Sequence, residues 1–408
     1  MKRILFITLI LLTACRTHNS PETKDLRVID VAGALDDIKK VNLSYIANSI
    51  EYIPLETIAE SLLGLINNKC VIYENNILYL TLREQYIKTF NNNGFYISSF
   101  KRVGRGYGEY INIFDVELDI ANNNLCIEGG REINEYKQNG TFIRKIVYPK
   151  DEELKRYSFY NFKKLGNYYI STVRIDTNSV YSAIVRDSNS RVVMKIDYPQ
   201  EEVNYVKKLK RENEFLNPHI FKFNNRVRLI NGNNKYILSI SSDLTVDTAY
   251  IINYGKLSIA NISPEDKRKF PPYLGRRFDA FESDNYLFMQ FFTGTLVKNH
   301  AIRKNKSTGK EYIHSYNCCL FNKKTGKVTL LEQPEIDHLG FVDDFEKGPA
   351  IWPLYVSSDN YMISLISAYD LKKYVDEHKV SEKLKVIADD LKESDNYVLV
   401  RVKLKSDN

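Results

Sequence analysis

The sequence predicts an all-β chain, a six-bladed β-propeller made of four-stranded antiparallel blades. Three observations carry this. From Leu26 onward, apolar runs of four to eight residues alternate with clusters of Asn, Gly, Asp and Ser, the pattern of short strands joined by tight turns. These hairpins recur as four-strand units along the chain, and no βαβ alternation develops. Finally, 29 Tyr and 20 Phe against a single Trp suit pleated, half-buried strands.

Ahead of the strands stand Lys2 and Arg3, then an apolar run from Ile4 to Leu12. That run has signal-peptide length and falls short of the ~20 residues a membrane-spanning helix needs. It closes on Leu12-Thr13-Ala14-Cys15, which resembles the lipobox of bacterial lipoproteins, where small residues precede a cysteine that receives a diacylglyceryl group. Residues 1–14 therefore read as a lipoprotein signal peptide and Cys15 as the lipid-attachment residue. The polar stretch 15–25 reads as a flexible tether, and 26–408 as the propeller. One acyl chain binds a membrane only marginally, at ~0.8 kcal/mol per buried methylene, so two or three chains make the anchor durable. Arg16 stands where an inner-membrane retention signal carries Asp. The expected location is the cell envelope, lipid-anchored to the outer membrane, with its periplasmic and surface faces both open.

The first blade is read from Cys70-Val71-Ile72-Tyr73, the turn Asn75-Asn76 and Ile77-Leu78-Tyr79-Leu80. A second hairpin follows, Tyr86–Phe90 and Phe95–Phe100 around Asn91-Asn92-Asn93-Gly94. Gly94 supplies the positive φ such turns demand, and Asn tolerates it. The second blade repeats the scheme from Val116 to Ile146, with turns at Asn122-Asn123-Asn124 and Gln138-Asn139-Gly140. The match between residues 91–97 and 138–143 is an internal repeat. Further units span 158–198, 215–255, 277–333 and 339–404. Packed radially, such blades bury both apolar faces and leave only short edges.

Two stretches interrupt the strands. Ser263-Pro264-Glu265-Asp266 opens with an N-cap serine and proline at the first helical position, predicting a short helix near 263–270. Residues 369–393 place apolar side chains at helical spacing, with Ser381 as a cap, predicting one or two helices inserted in the last unit. The segment Tyr397–Val402 then returns as a terminal strand, and a strand from the other end of the chain completing its blade would close the ring.

Cys70, Cys126, Cys318 and Cys319 show neither CxxC spacing nor a Cys/His cluster, so no zinc site is supported. They are expected as buried small hydrophobes, with Cys318 and Cys319 on opposite faces of one strand. The formal charge of +7 drops to +5 once Lys2 and Arg3 leave. The remaining basic residues are scattered among acids, so no nucleic-acid partner is expected.

Three landmarks, in order and spacing, resemble the lipid-anchored six-bladed β-propeller proteins of Gram-negative anaerobes, an NHL-like group. They are Tyr52-Ile53-Pro54-Leu55-Glu56-Thr57, Gly104-Arg105-Gly106-Tyr107-Gly108-Glu109-Tyr110, and Glu393-Ser394-Asp395-Asn396 before the last strand. The resemblance spans the mature chain, and the chain departs from it at Tyr107 and Tyr397, where the family carries Pro. It implies a fold and an anchor, and carries no catalytic set.

The residues themselves point to no catalytic, cofactor or metal site. The loop Gly104–Glu109 lacks the Lys-Ser/Thr of a phosphate loop and reads as inter-blade turning, with Glu109 bonding nearby amides. Asp36-Asp37, Asp343-Asp344 and Asp389-Asp390 could hold Ca²⁺, yet none sits in an EF-hand-like loop, so turn or helix charges are expected. His18, His219, His300, His314, His338 and His378 are dispersed, and no Gly-x-Ser-x-Gly elbow occurs. The expected function is a membrane-tethered binding or scaffolding module for a glycan, peptide or envelope protein. A hydrolase or lyase acting on carbohydrate through loop carboxylates is the alternative, and a structural subunit of an envelope assembly the second.

Overall fold

The computed structural model describes residues 27–406 apart from 131, 149–152, 156, 176–179, 210–216, 233–234, 263–271, 297–300, 305–308, 310, 315 and 333–338. The signal segment, Cys15, the tether and the helix expected at 263–270 lie outside the described residues. Six antiparallel sheets follow one another. Blade I holds Ile66–Glu74, Ile77–Leu82, Ile87–Asn91 and Tyr96–Phe100. Blade II holds Asp115–Asp119, Asn124–Glu128, Glu132–Lys137 and Phe142–Val147. Blade III runs from Phe159–Leu165 through Tyr168–Val173 and Tyr181–Arg186 to Val192–Asp197. Blade IV comprises His219–Phe223, Arg226–Ile230, Tyr236–Ile240 and Val246–Asn253. Blade V is made of Gly275–Glu282, Tyr286–Phe292, Tyr316–Asn322 and Val328–Leu331.

The first strand of each blade touches the first strand of the next, and that of the last blade returns to the first, so the ring is closed around an axis. Closure uses the two ends of the chain. Blade VI takes Tyr355–Val356, Tyr361–Ile366 and Val398–Leu404 from the C-terminal region, and Ala47–Pro54 as its outermost strand. The register Ala47↔Leu404 through Pro54↔Val398 welds the seam, as the terminal-strand pattern predicts.

Two departures from uniform four-stranded blades occur. Arg27–Asp30 adds a fifth strand to blade IV, parallel to Val246–Asn253. Only Ile29 of its four residues is buried, and its backbone covers an edge that would otherwise be open to pairing. In blade V a two-stranded hairpin, Ala301–Lys304 with Glu311–His314, is inserted between the second and third strands.

Apolar side chains from facing blades fill the interfaces. Phe288, Cys318, Val400 and Val402 pack together between blades V and VI, while Tyr250, Leu287, Cys319 and Phe321 pack between IV and V. Cys318 and Cys319 thus do point to opposite faces of blade V, and all four described cysteines are buried with none in a disulfide.

The internal repeat is a recurring hairpin between third and fourth strands. In blade I Asn91 N–H donates to Phe95 O, and Gly94 N–H donates back to Asn91 O. The same pair of bonds joins Lys137, Gly140 and Thr141, then Asp187, Ser190 and Arg191, then Ser241, Leu244 and Thr245. The donor of the return bond is left-handed in all four, at φ 86, 85, 67 and 66°, the reason Gly suits this position. Asn91 and Asp187 each accept two further amides on Oδ1.

Three α-helices lie among the described residues. Helix α1, Gln200–Leu209, between blades III and IV, was not foreseen; it begins after Pro199 with Glu201 and Glu202 in its first turn. Helices α2 (Ala368–Glu377) and α3 (Glu382–Asp390) are the predicted insertion in blade VI. Their N-caps are Ser367 and Ser381, whose side chains accept from Asp370 and Leu384 N–H. No helix of the described residues is long and apolar enough to cross a membrane.

Candidate functional site: the axial channel

Six first strands set around an axis enclose a channel, and here it forms a cavity of about 760 Å³. Its mouth lies where first strands turn into second strands, and those turns are rich in Asn, Asp and Ser. Asn122, Asn167, Asn224, Asn225, Asp284 and Ser358 all line it. Part of the composition follows from backbone need. The turn residues Asn75, Asn123, Asn224 and Asn360 have φ of 53, 55, 53 and 67°, a region that asparagine tolerates better than other side chains. Among the lining residues that requirement accounts for Asn224 and Asn360, and Asn122, Asn167 and Asn225 lie beside them at the same end of the channel. Three of these, Asn167, Asn224 and Asn225, are exposed and make no hydrogen bond within the described chain through their side chains.

Deeper in, the wall is ionic. Asp115, Glu117 and Asp119 come from the first strand of blade II, in which every residue is buried. Glu117 pairs with Lys163 of blade III at 3.1 Å and with Lys222 of blade IV at 3.0 Å. Lys163 also lies 3.5 Å from Asp115, whose carboxylate accepts the Phe162 and Val116 amides at 2.9 Å. Burial pushes Asp115 above the usual carboxylate range despite Lys163. Lys164 bridges Asp119 and Glu135. Burial alone would raise both of these carboxyls, and the Lys164 contact holds them below their usual range.

Glu74 closes the joint between blades I and VI. It accepts from Tyr355 O–H at 2.8 Å, Ser358 N–H at 2.9 Å and Ser358 O–H at 2.5 Å. Facing only neutral donors, it is raised by burial. Glu282 of blade V accepts from Arg228 at 2.8 Å and Tyr250 at 2.7 Å, and lies 2.9 Å from Lys323. Burial opposes its charge, but Arg228 and Lys323 keep its carboxyl below the ordinary range. Chemically these groups hold blade to blade around the axis. The cation most open to the cavity among the ion pairs of the wall is Lys222, whose side chain is 30% exposed.

The residues weighed from sequence have other placements. Glu109 accepts Gly106 N–H at 2.7 Å, as expected, and a Cβ at Gly104 would come 2.0 Å from its carboxylate. This loop links blades I and II and so belongs to the end opposite the amide ring. Asp343 is buried and accepts Tyr52 O–H and the amides of Phe345, Glu346 and Gly348, while Asp344 accepts Ser44. Asp389 pairs with Lys385 at the surface and Asp37 with Lys39. No group of three or more His, Cys, Asp or Glu among the described residues is arranged to hold a metal ion.

His219 does line the channel, with Nε2 3.3 Å from the Ala280 amide, whereas His378 stacks on Tyr374. His18, His300 and His338 lie outside the described residues. The first and third landmarks meet at the seam. Asn396 donates to Glu56 O at 2.7 Å and Ser61 O at 3.1 Å, and accepts Leu63 N–H at 2.8 Å.

Sequence reading passed over the channel acids. They sit on first strands rather than on loops, and the signal was in plain view: Asp115-Val116-Glu117-Leu118-Asp119 alternates acid with apolar residue in a strand buried on both faces. Such burial requires cations from neighbouring blades.

The model of a domain of unknown function, DUF4934, matches residues 26–403. Among solved structures, a putative exported protein from Bacteroides fragilis NCTC 9343 superposes with a TM-score of 0.67 at 15% identity, covering 93% of this chain and 100% of that one. A member of the duf4221 family from Bacteroides vulgatus ATCC 8482 gives 0.50 at 11%, covering 88% and 97%. At these identities the likeness concerns the fold, a six-bladed propeller over nearly the whole chain. No curated protein matches the sequence.

Proposed function

The chain belongs to the DUF4934 family, and from that premise we propose that it is an exported, lipid-anchored propeller that binds a ligand at the amide-ringed mouth of its channel. The observation that carries this reading is the channel itself, about 760 Å³ of cavity with exposed asparagine amides at its mouth. A concave site with a few fixed polar groups is where a fold of this kind takes a ligand. The lipobox-like Leu12–Cys15 supports the anchor at Cys15, and the Bacteroides neighbour described as a putative exported protein supports the envelope location. The outer membrane and the NHL-like kinship are parts of the same proposal. Binding is favoured over hydrolysis or lyase chemistry because Asp115, Glu117 and Asp119 are each engaged by lysines of the next blades.

The test uses the purified mature chain against arrays of glycans and peptides, beside an Ala121→Trp variant that places an indole on the channel lining. Retention by the parent and loss in the variant supports the channel. Equal retention by both places the ligand elsewhere. Intact mass of the membrane-extracted protein should show acyl groups on Cys15; an unmodified N-terminus removes the anchor from the proposal.

A further inference from the structure

Resting on the channel reading above, we infer that the mouth selects a neutral, hydroxyl-bearing ligand of the saccharide class. Two independent features of the cavity point there. The first is its set of available groups. Asn167, Asn224 and Asn225 are exposed and make no side-chain hydrogen bond within the described chain. A primary amide offers two donors and a carbonyl acceptor in one plane, which matches sugar hydroxyls that both donate and accept. Half-buried Phe223, held with Lys323 Nζ 3.7 Å from its ring centre, adds apolar surface beside these amides for the C–H faces of a ring.

The second feature is charge. Below the mouth Asp115 and Glu117 stand against Lys163 and Lys222, and Glu74, Asp119, Glu282 and Asp284, with Lys164, leave the whole lining richer in acids than in lysines. An anionic ligand reaching Lys222 would compete with Glu117, 3.0 Å away, and leave that buried carboxylate with Lys163 alone. A cationic ligand reaching Glu117 would displace one of two lysines in the same way. A neutral hydroxyl can instead accept from the Lys222 ammonium, whose side chain remains 30% exposed, and leave the pair intact. A lining richer in acids than in lysines, with its lysines already paired, and amides at the rim therefore select against an acidic ligand in favour of a neutral one.

The experiment measures binding of neutral oligosaccharides of hexose and N-acetylhexosamine to the purified mature chain. Matched controls are uronate-containing oligosaccharides of equal length and neutral tetrapeptides. The expected result is retention of a neutral oligosaccharide, at least tenfold weaker binding of its uronate counterpart, and at least tenfold loss in an Asn224→Gly/Asn225→Ala variant of unchanged thermal midpoint, glycine keeping the positive φ at 224. Preference for uronates or peptides, equal binding by the double variant, or silence across the neutral set overturns the inference. The Ala121→Trp variant separates the two readings. A peptide or uronate lost on that substitution leaves the channel standing and removes only the ligand class, whereas a neutral oligosaccharide that it still binds removes the channel.

Discussion

Glu128 offers a measurement on the joint between blades II and III. Its side chain is fully buried, with Oε1 accepting Tyr148 O–H at 2.7 Å and Oε2 without a hydrogen-bond partner. Arg186, also fully buried, stacks 3.7 Å from the Tyr148 ring centre and donates through Nη2 to Ser171 at 2.9 Å. Burial is the main cause that pushes the Glu128 carboxyl from its ordinary 4.5 up to about 7, with Tyr148 and Arg186 pulling the other way. The folded chain therefore holds a proton that the unfolded chain has released between those two values.

Stability from this group is fully present below pH 4.5 and is lost as pH rises through 7. At 1.36 kcal/mol per pH unit the loss totals about 3 kcal/mol by pH 8. Glu128→Gln removes the titration. Urea unfolding followed by fluorescence of Trp352, which stacks on Phe341, reads both proteins from pH 5 to 8. The stability of the variant relative to the parent should climb with pH by about 2.5 kcal/mol across that range. Parallel pH profiles for the two proteins would refute the assignment.

Asn396→Ala should lower unfolding stability by about 2–4 kcal/mol, because Leu63 N–H, Glu56 O and Ser61 O lose a buried partner at the seam; a calorimetric change under 1 kcal/mol would contradict this. Lys347 is exposed with φ of 58°, so Lys347→Gly should stabilise by ~0.5 kcal/mol while Lys347→Ala brings no gain; chemical denaturation of both variants decides it. Cys70, Cys126, Cys318 and Cys319 are buried thiols, and burial pushes Cys126 and Cys319 far above the usual thiol range. A thiol reagent should label them only after denaturation, and rapid labelling of the native protein would count against the packing.

Much of the propeller was legible because its determinants are local. Asn75-Asn76, Gly94 and Gly140 announce turns through the positive φ their positions need, and short apolar runs between such turns can be little other than strands. The caps Ser367 and Ser381 begin their helices by bonding amides three residues on, and Ser381 was read as a cap from sequence alone. The terminal strand Tyr397–Val402 was legible in the same way, while its partner Ala47–Pro54 became evident only in the closed ring.

The channel chemistry was not legible, because it depends on which strands become neighbours. Glu117 and Lys222 are distant in sequence and 3.0 Å apart in space, and the Asp30–Asn253 register that seats the added edge strand is equally non-local. Local sequence determined the turns, strands, helix caps and expected lipid-attachment cysteine, since those depend on backbone preference and nearby side chains. Tertiary structure alone decided that Asn167, Asn224 and Asn225 share one mouth above a floor of acids paired with lysines, because closing the ring brings separate strands to a common axis.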